Sequence, residues 1–407
     1  MTDNFVRTRL TKRITLHYAA AFFIYFAAFC MIRSFISLYL LEKGFSYTQV
    51  GIISGIHMMT TAAIQPSYTA ILNRFPKLGL KRFIAICCIP AMMCSLLTFI
   101  LPANLFLYIL IYILLGFSEI GLQSLMVSIG MEYVNAGIPI NAGLGRGMGS
   151  VGYAAANLVL GFLIVRYGSP ISQKLNIALL LLLVVLIMTL PDLKVMEPEN
   201  DSDDRRNKMR ADNFITFLRG NQIFTLFIFS LVLLFFSHSI VNTYMPNVAG
   251  QFGLGSDFTG LLNSIAAFLE LIPMMLFTQI SKRISPLKML YISAVFFSIK
   301  ILTATIARSP AGLILSQSMQ IMAYALFAMS SIYFANHAVR PHNRVMAQGL
   351  LIGANEAGFT LGGLLGGVIL DHASIRVLLW SGVAVSILGS LLMITALKRF
   401  ENQEQNS

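Results

Sequence analysis

Residues 172–191 have the sequence SQKLNIALLLLLVVLIMTLP, and residues 201–210, which follow closely, have the sequence DSDDRRNKMR. The first stretch is apolar and about 20 residues long, the length that a helix needs to cross a bilayer. The second is a run of mixed charges that a bilayer would exclude. Working outward in both directions, the same apolar length recurs, and we predict twelve spans. They lie near residues 16–41, 48–72, 81–101, 103–130, 145–166, 172–191, 222–248, 257–281, 287–307, 310–336, 344–370 and 376–397.

The composition of the whole chain agrees with a lipid environment. Of its 407 residues, 57% are hydrophobic and 11% are charged, whereas a soluble domain has about 25% charged residues. Such a chain has too few polar groups to cover its apolar surface in water. The sequence therefore predicts an all-α polytopic membrane protein.

The net charge of +12 reflects topology. Of the 29 Lys and Arg residues, 21 lie in the two tails and in the loops after the even-numbered spans, and five lie in the opposite loops. Positive residues concentrate on the cytoplasmic side of membrane proteins. We therefore predict an inner-membrane protein with both termini in the cytoplasm, and no nucleic-acid partner.

The four cysteines all lie within predicted spans, and none is spaced with a histidine as metal ligands are. We expect packed, reduced thiols and neither a metal nor another cofactor. No phosphate-binding loop or pair of nucleophile and base occurs, so the sequence does not favour an enzyme.

The charged stretch divides the chain into two halves of six spans. We predict an N-terminal six-helix bundle at 1–191, a cytoplasmic linker at 192–221 and a C-terminal six-helix bundle at 222–407. The halves resemble each other at an offset of 205 residues: Leu160-Gly161 corresponds to Leu365-Gly366, and Arg33 to His238. This correspondence favours a duplicated six-helix unit.

Span 5 carries the most informative set of polar residues. On a helix, Arg146, Ser150, Tyr153 and Asn157 fall on one stripe, which combines a charge, a hydroxyl, an aromatic ring and an amide. Beside them runs a stripe of small residues that allows a second helix to approach closely. Its members are Gly145, Gly149, Gly152 and Ala156.

Three further spans have faces on which polar and aromatic side chains mix, as in a pocket for a solute. Their members are Phe26, Phe29, Arg33 and Ser37 in span 1, His238 and Asn242 in span 7, and Asn263, Glu270 and Met274 in span 8. Ionisable groups inside a membrane are costly and usually face a cavity or a partner. For Arg33 the alternative to lining the pocket is a structural pairing with a nearby carboxylate.

For the other ionisable residues of the spans, contact with the solute and a structural role are both open. Glu132 lies near the cytoplasmic end of span 4, where solvation or pairing with Arg146 is the alternative to solute contact. Glu119, also in span 4, points nearly the opposite way. Glu356 of span 11 either faces the cavity or packs, and a lone buried histidine such as His57 is more often structural.

At span 5, the string Arg146-Gly147-Met148-Gly149-Ser150-Val151-Gly152-Tyr153 resembles the Arg-x-x-Gly-Cys-Val-Gly-Trp segment of lactose permease and the other oligosaccharide:proton symporters of the major facilitator superfamily. The likeness extends to Gln49-Val50-Gly51-Ile52, to Phe268-Leu269-Glu270 and to Ser298-Ile299-Lys300-Ile301. It implies two six-helix bundles with the solute bound between them near the middle of the membrane. It further implies that Arg146 binds a sugar and that Tyr153 stacks on its ring.

The sequence also departs from that family. Ser128 stands at the position of the family's sugar-binding carboxylate, and Gln320 and Ala323 stand at the positions of its proton-coupling His and Glu. These departures argue against lactose as the solute. The cytoplasmic loop motif that major facilitators share is degenerate here, with Asn73-Arg74 before Lys77, Gly79, Lys81 and Arg82 and without its Asp; the prediction of the architecture does not depend on it.

The combined hypothesis is a secondary active transporter that acts as a monomer and moves a sugar, a glycoside or a nucleoside-like solute by proton symport and alternating access. The solute-binding residues are predicted to be Arg146, Tyr153, Ser150, Asn157, Arg33, Phe29, His238, Asn242 and Gln320. The proton-coupling residues are predicted to be Glu270, Lys300, Glu132 and Glu356, with Glu270 as proton carrier beside Lys300 or Arg146. The alternatives are proton-coupled efflux of drugs or metabolites, and a membrane sensor that keeps the transporter fold. Coupling to sodium or another cation, and uniport, are further alternatives, because the family's span-10 His and Glu are absent.

Overall fold

The structure is a computed structural model that describes residues 2–74, 79–120, 122–136, 138, 140–191, 214–340 and 343–405. The described residues form eighteen α-helices and one π-helical turn, without a β-strand. The helices are α1 (Thr2–Arg33), α2 (Ile36–Glu42), α3 (Tyr47–Arg74), α4 (Leu80–Ile100), α5 (Leu105–Leu115), α6 (Leu122–Asn135), α7 (Ala142–Tyr167), α8 (Ile171–Thr189), α9 (Phe214–Gly220), α10 (Gln222–Thr243), α11 (Met245–Gly250), α12 (Ser256–Met275), α13 (Phe277–Ser281), α14 (Pro286–Ile306), α15 (Pro310–Ser318), α16 (Gln320–Ala338), α17 (Arg344–His372) and α18 (Ile375–Gln405); the π turn is Gly116–Ile120.

All twelve predicted spans fall on helices. Nine helical stretches within the described residues are long and apolar enough to cross a membrane. The other three predicted spans lie on α3, on α17, and on α5 with the π turn and α6. Much of the predicted linker lies outside the described residues, and α9 forms its final part.

Five of the predicted spans are interrupted. Span 1 breaks between α1 and α2, span 4 contains the π turn, and span 7 breaks at Tyr244 between α10 and α11. Span 8 breaks between α12 and α13, and span 10 breaks at Met319 between α15 and α16. Pro273 lies three residues before the break at Leu276; proline lacks an amide proton and removes a hydrogen bond from a helix. Broken helices inside membranes often form solute and ion sites.

The described chain forms two compact units. Unit 1 contains Met1–Phe45, Met59–Glu199 and Gly255–Ala267, and unit 2 contains Ser46–Met58, Asn200–Leu254 and Phe268–Ser407. The units therefore follow the two halves of the sequence except for two segments. The first part of α3 packs in unit 2, and the first part of α12 packs in unit 1.

In unit 1, the stripe of small residues on α7 contacts α1. A Cβ atom would overlap the Tyr18 ring at Gly145, the Phe26 ring at Gly149 and the main chain of Phe23 at Gly152. The close approach that this stripe predicts is therefore present. On another part of α7, Gly161 packs against the main chain of α12 at Ser256 and Gly260.

The core of unit 2 is aromatic. Phe217, Phe224, Phe227 and Phe334 are buried together, and the ring centroids of Phe227 and Phe334 lie 4.4 Å apart. Since aromatic pairs add about 0.5–1.5 kcal/mol to the effect of burial alone, these contacts stabilise the packing of α9, α10 and α16.

Within unit 2, Asp371 of α17 caps the N-terminus of α3. Its Oδ1 atom accepts a hydrogen bond from the Tyr47 amide over 3.0 Å, and Oδ2 accepts one from the Thr48 amide over 2.8 Å. The first amides of a helix have no partner inside the helix. Burial by itself raises the pKa of Asp371, but hydrogen bonds from Thr48, Tyr47 and Ser46 outweigh it and hold the pKa below its usual value.

Replacement of this cap should lower stability in a pH-dependent way. We expect Asp371→Ala to reduce the free energy of unfolding at pH 7 by about 0.5–2 kcal/mol, the usual effect of losing a cap. The ionised carboxylate stabilises the native state fully above the unfolded pKa of about 4, and this contribution is lost as the pH falls through the lower native pKa. Thermal unfolding in detergent from pH 7 downward measures both effects, with His372→Ala as the adjacent control. A difference that does not change with pH would assign the effect to packing.

Candidate functional site

In unit 1, four of the side chains near the break of span 1 form a polar and aromatic cluster. The hydroxyl group of Ser34 donates a hydrogen bond to that of Tyr153 over 2.9 Å. The ring centroids of Phe29 and Tyr153 lie 6.2 Å apart, and the guanidinium carbon of Arg33 lies 5.4 Å from the Phe29 centroid, within the range of a cation–π interaction. We call Phe29, Arg33, Ser34 and Tyr153 the span-1 cluster.

The break itself positions this cluster. Arg33 ends α1, and α2 starts at Ile36, so that Ser34 and Phe35 lie outside regular helix. The side chains of Phe29, Arg33 and Tyr153 are half-buried, and that of Ser34 is buried. The cluster thus offers an aromatic face, a cation and hydroxyl groups, which suits a solute with a ring and several hydroxyls.

The other predicted residues of span 5 have different surroundings. Asn157 is fully buried; its amide group donates to the Tyr153 carbonyl over 3.0 Å, while its Oδ1 atom makes no hydrogen bond within the described residues. Ser150 is half-buried on the same helix. The side chain of Arg146 lies outside the described part of the structure, so its role as a solute ligand stays a prediction.

In unit 2, three predicted residues are joined in a chain of hydrogen bonds. The Lys300 ammonium group of α14 donates to Oε1 of Gln320, the first residue of α16. The Gln320 Nε2 group donates in turn to Oε1 of Glu270 on α12 over 2.5 Å. The sequence predicted Glu270 beside Lys300; the structure adds that an amide from a third helix connects them.

Chemistry determines the orientation of this amide. An ammonium group only donates hydrogen bonds and a carboxylate only accepts them, so the Gln320 oxygen faces Lys300 and its nitrogen faces Glu270. Lys300 is 2% exposed and Gln320 is 3% exposed, while Glu270 is half-buried. Since buried charges are stable only when compensated, the protonation of Glu270 affects how well Lys300 is accommodated.

His238 lies close to the hydrogen-bond chain of Lys300, Gln320 and Glu270. Its ring stacks on Tyr324, with centroids 5.7 Å apart and planes 3° apart, and it meets Phe297 and Phe359 edge-on. A cavity of about 10 Å³ is lined by both His238 and Lys300, which is about the space that one water molecule occupies. His238 is thus enclosed by aromatic rings and shares a small cavity with a buried cation.

The remaining predicted residues do not join these groups. Asn242 and Glu356 are half-buried on α10 and α17. Glu132 is exposed on α6 and lies near Lys81. His57 is buried in unit 2, on the first part of α3.

Ser34 and Tyr324 are not among the site residues that the sequence predicts. Tyr324 follows Gln320 by four residues, which places the two on one helix face, and this spacing was the available signal. Ser34 lies in the break of span 1, and neither a proline nor a glycine marks that break.

Comparisons with known proteins identify the fold. The model of the MFS_1 like family matches residues 15–380. A crystal structure of the nucleoside transporter NupG has a TM-score of 0.76 and 18% identity, and covers 95% of this chain and 99% of that one; a mutant of NupG has a TM-score of 0.80 and 17% identity, with 94% and 99% covered. A D-xylose-proton symporter has a TM-score of 0.67 and 14% identity, with 93% and 96% covered.

A search of curated protein sequences found no match. The family match extends over most of the chain, and the solved structures share its helical fold. The all-α architecture of twelve transmembrane helices that the sequence predicts is thereby confirmed. The chain belongs to the MFS_1 like family and is a multi-pass membrane transporter of the major facilitator type.

Proposed function

We propose that this protein is a secondary active transporter that carries a small polar solute of the sugar or nucleoside class in symport with a proton. The observation that carries the proposal is the chain of Glu270, Gln320 and Lys300. It connects a titratable carboxylate to a buried cation inside membrane helices, and such pairs commonly serve as proton relays.

The span-1 cluster supports a solute with a ring. The faces of Phe29 and Tyr153 suit a sugar ring or a nucleobase, and the Ser34 and Tyr153 hydroxyls suit hydroxyl groups of the solute. Two of the structural neighbours, the nucleoside transporter NupG and a D-xylose-proton symporter, are named for solutes of this kind. At their low identity to this chain, they support the solute class without defining one compound.

Coupling follows from the charge balance at Lys300. With Glu270 ionised, its charge compensates the ammonium group through the Gln320 amide. When Glu270 takes up a proton, Lys300 loses this compensation, and a conformation in which it is better solvated becomes favourable. Protonation therefore changes the relative free energies of the states between which a transporter of this architecture alternates.

The distribution of Lys and Arg supports placement in the inner membrane with both termini in the cytoplasm. The route of the proposed symport is into the cell, and the transporter acts as a monomer. Glu270, Gln320 and Lys300 all lie within unit 2 of one polypeptide, so this coupling chain needs no partner subunit.

Binding of a solute should be measurable without a transport assay. In detergent, we expect uridine or D-xylose to raise the unfolding temperature of the protein, because a ligand that binds only the native state stabilises it by about 2.7 kcal/mol at 100 times its dissociation constant. Sucrose or tetraphenylphosphonium at the same concentrations provides the comparison. A shift with the lipophilic cation alone would favour drug efflux over the proposed symport.

Glu270→Gln should separate coupling from binding. In proteoliposomes with an imposed pH gradient, we expect loss of uphill uptake of the solute identified above, while exchange of labelled for unlabelled solute continues. Glu401→Gln, which removes a carboxylate that accepts from Tyr291 on the same unit, should retain both activities. Unchanged uphill uptake in Glu270→Gln would remove Glu270 from the coupling role.

The Glu270→Gln substitution should also change the stability of the protein. Removal of one partner from a buried charge pair costs about 3–5 kcal/mol, whereas removal of both charges is often neutral; partial exposure of Glu270 places the effect at the lower end. We therefore expect Glu270→Gln to lower the unfolding temperature and the double variant Glu270→Gln/Lys300→Met to regain most of the loss without regaining uphill uptake. A double variant as unstable as the single one would mean that Lys300 does not depend on Glu270.

Tyr153→Phe should test the span-1 cluster. It keeps the ring and removes the hydroxyl, so we expect a loss of solute affinity of about 0.5–1.5 kcal/mol, the usual value of one hydrogen bond. Tyr39→Phe is the matched control, because the Tyr39 hydroxyl is also buried and donates to the Thr98 carbonyl over 2.7 Å. It should lower stability and leave solute affinity unchanged. Equal affinity in wild type and Tyr153→Phe would place the solute elsewhere.

A further inference from the structure

A second carboxyl group is buried in unit 1, where the proposed coupling chain plays no part. Glu119 lies on the π turn between α5 and α6 and is 0% exposed. Its Oε1 atom accepts a hydrogen bond from the Asn176 amide over 3.0 Å, and its Oε2 atom makes no hydrogen bond within the described residues. One oxygen of a fully buried carboxyl group thus lacks a polar partner.

Asn176 is itself held in place from two sides. Its amide group also donates to the Ala28 carbonyl of α1 over 2.9 Å, and its Oδ1 atom accepts from the Ser95 hydroxyl of α4 over 2.8 Å. Asn176 therefore cannot turn to present a second donor to Glu119. The single hydrogen bond is fixed by the packing of three helices around it.

Within the described residues, the other titratable groups around Glu119 are thiols and hydroxyls, which are uncharged at neutral pH at their ordinary pKa values. They are the Cys88 and Cys94 thiols of α4, the Tyr112 hydroxyl of α5, and the Tyr25 hydroxyl of α1, which donates to the Glu119 carbonyl over 3.2 Å. Within the described part of the chain, burial and the Asn176 hydrogen bond are the influences on this carboxyl group, and no cation contributes.

An ionised carboxylate in this position would be unstable. Burial of an isolated charge in an apolar site is so unfavourable that the group takes up a proton instead. A protonated carboxyl group carries no net charge, so its burial costs much less, and its carbonyl oxygen keeps the hydrogen bond from Asn176. The geometry therefore favours the neutral acid in this conformation.

The local backbone provides a way for this environment to change. π turns are rare, contain one more residue than an α-helical turn, and occur frequently at functional sites. At the offset of 205 residues between the two halves, Gln320 corresponds to Leu115, which directly precedes the π turn. Spans 4 and 10 are thus both irregular close to corresponding positions, and in span 10 the irregularity carries the amide of the coupling chain.

We propose that Glu119 is a proton-binding site in unit 1, which holds a proton in this conformation and releases it to water when the π turn rearranges. The released proton leaves from the carboxyl group as water reaches it, and the ionised carboxylate is then stabilised by hydration. This site is separate from Glu270 and does not depend on the proposed symport.

The infrared spectrum of the purified protein tests the proposal without a solute. At neutral pH, we expect the carbonyl stretch of a protonated carboxylic acid, which is resolved from that of a carboxylate, and its loss in Glu119→Gln. Glu42→Gln is the matched control in the same unit, because the exposed Glu42 accepts hydrogen bonds from Ser169. It should leave the band in place. A band that persists in full in Glu119→Gln would overturn the assignment.

Two further measurements keep the proposal testable if Glu119→Gln does not fold, and distinguish a proton that is released from one that is held permanently. Asn176→Ser removes the amide donor, so the band should move to higher frequency in that variant; an unmoved band would assign it to another carboxyl group. In the wild type, the band should disappear reversibly as the pH is raised. A band that remains at every pH at which the protein stays folded would show a permanently protonated, purely structural group.

Discussion

The ammonium group of Lys300 lies in the interior of a membrane protein, and its charge has to be compensated within the chain. Lipid offers no hydrogen-bond acceptor, so the compensation comes from Gln320 and, through it, from Glu270. This requirement fixes the relative positions of α12, α14 and α16. It also requires a residue at the start of α16 whose side chain can reach in two directions, and the break at Met319 places Gln320 there.

Close helix contacts give the rest of each unit its shape. On α7, glycines allow the rings of α1 to lie against the helix backbone on one side, and Gly161 allows α12 to approach on the other. These contacts hold Tyr153 on a helix with little freedom to move sideways, so that the span-1 cluster is positioned by packing. In unit 2 the buried phenylalanines of α9, α10 and α16 pack together and hold these three helices against one another.

Hydropathy and charge were sufficient to predict the helices of this protein, because length and polarity alone decide whether a helix can cross a bilayer. The small-residue stripe of α7 was also predictable, since helical periodicity places its members on one face. The interruptions were not. A window of about 20 residues averages over single hydrogen bonds, and the breaks at Ser34 and Met319 contain no proline or glycine. The sequence also brought Glu270 and Lys300 together, but the amide between them comes from a third helix, and side-chain reach across three helices leaves no periodic signal. The role of Arg146, whose side chain the structure does not describe, remains a prediction.

The amide of Gln320 has a property that neither of its charged neighbours has: its two ends are chemically opposite and similar in size. If the carboxylate and the ammonium group exchanged places, a half-turn about the last side-chain bond would satisfy both again. A glutamate at this position would not have this property, because an ionised carboxylate only accepts hydrogen bonds. The side chain of Gln320 can therefore pair with either arrangement, and the direction of charge along this chain of hydrogen bonds is set by the residues at positions 270 and 300.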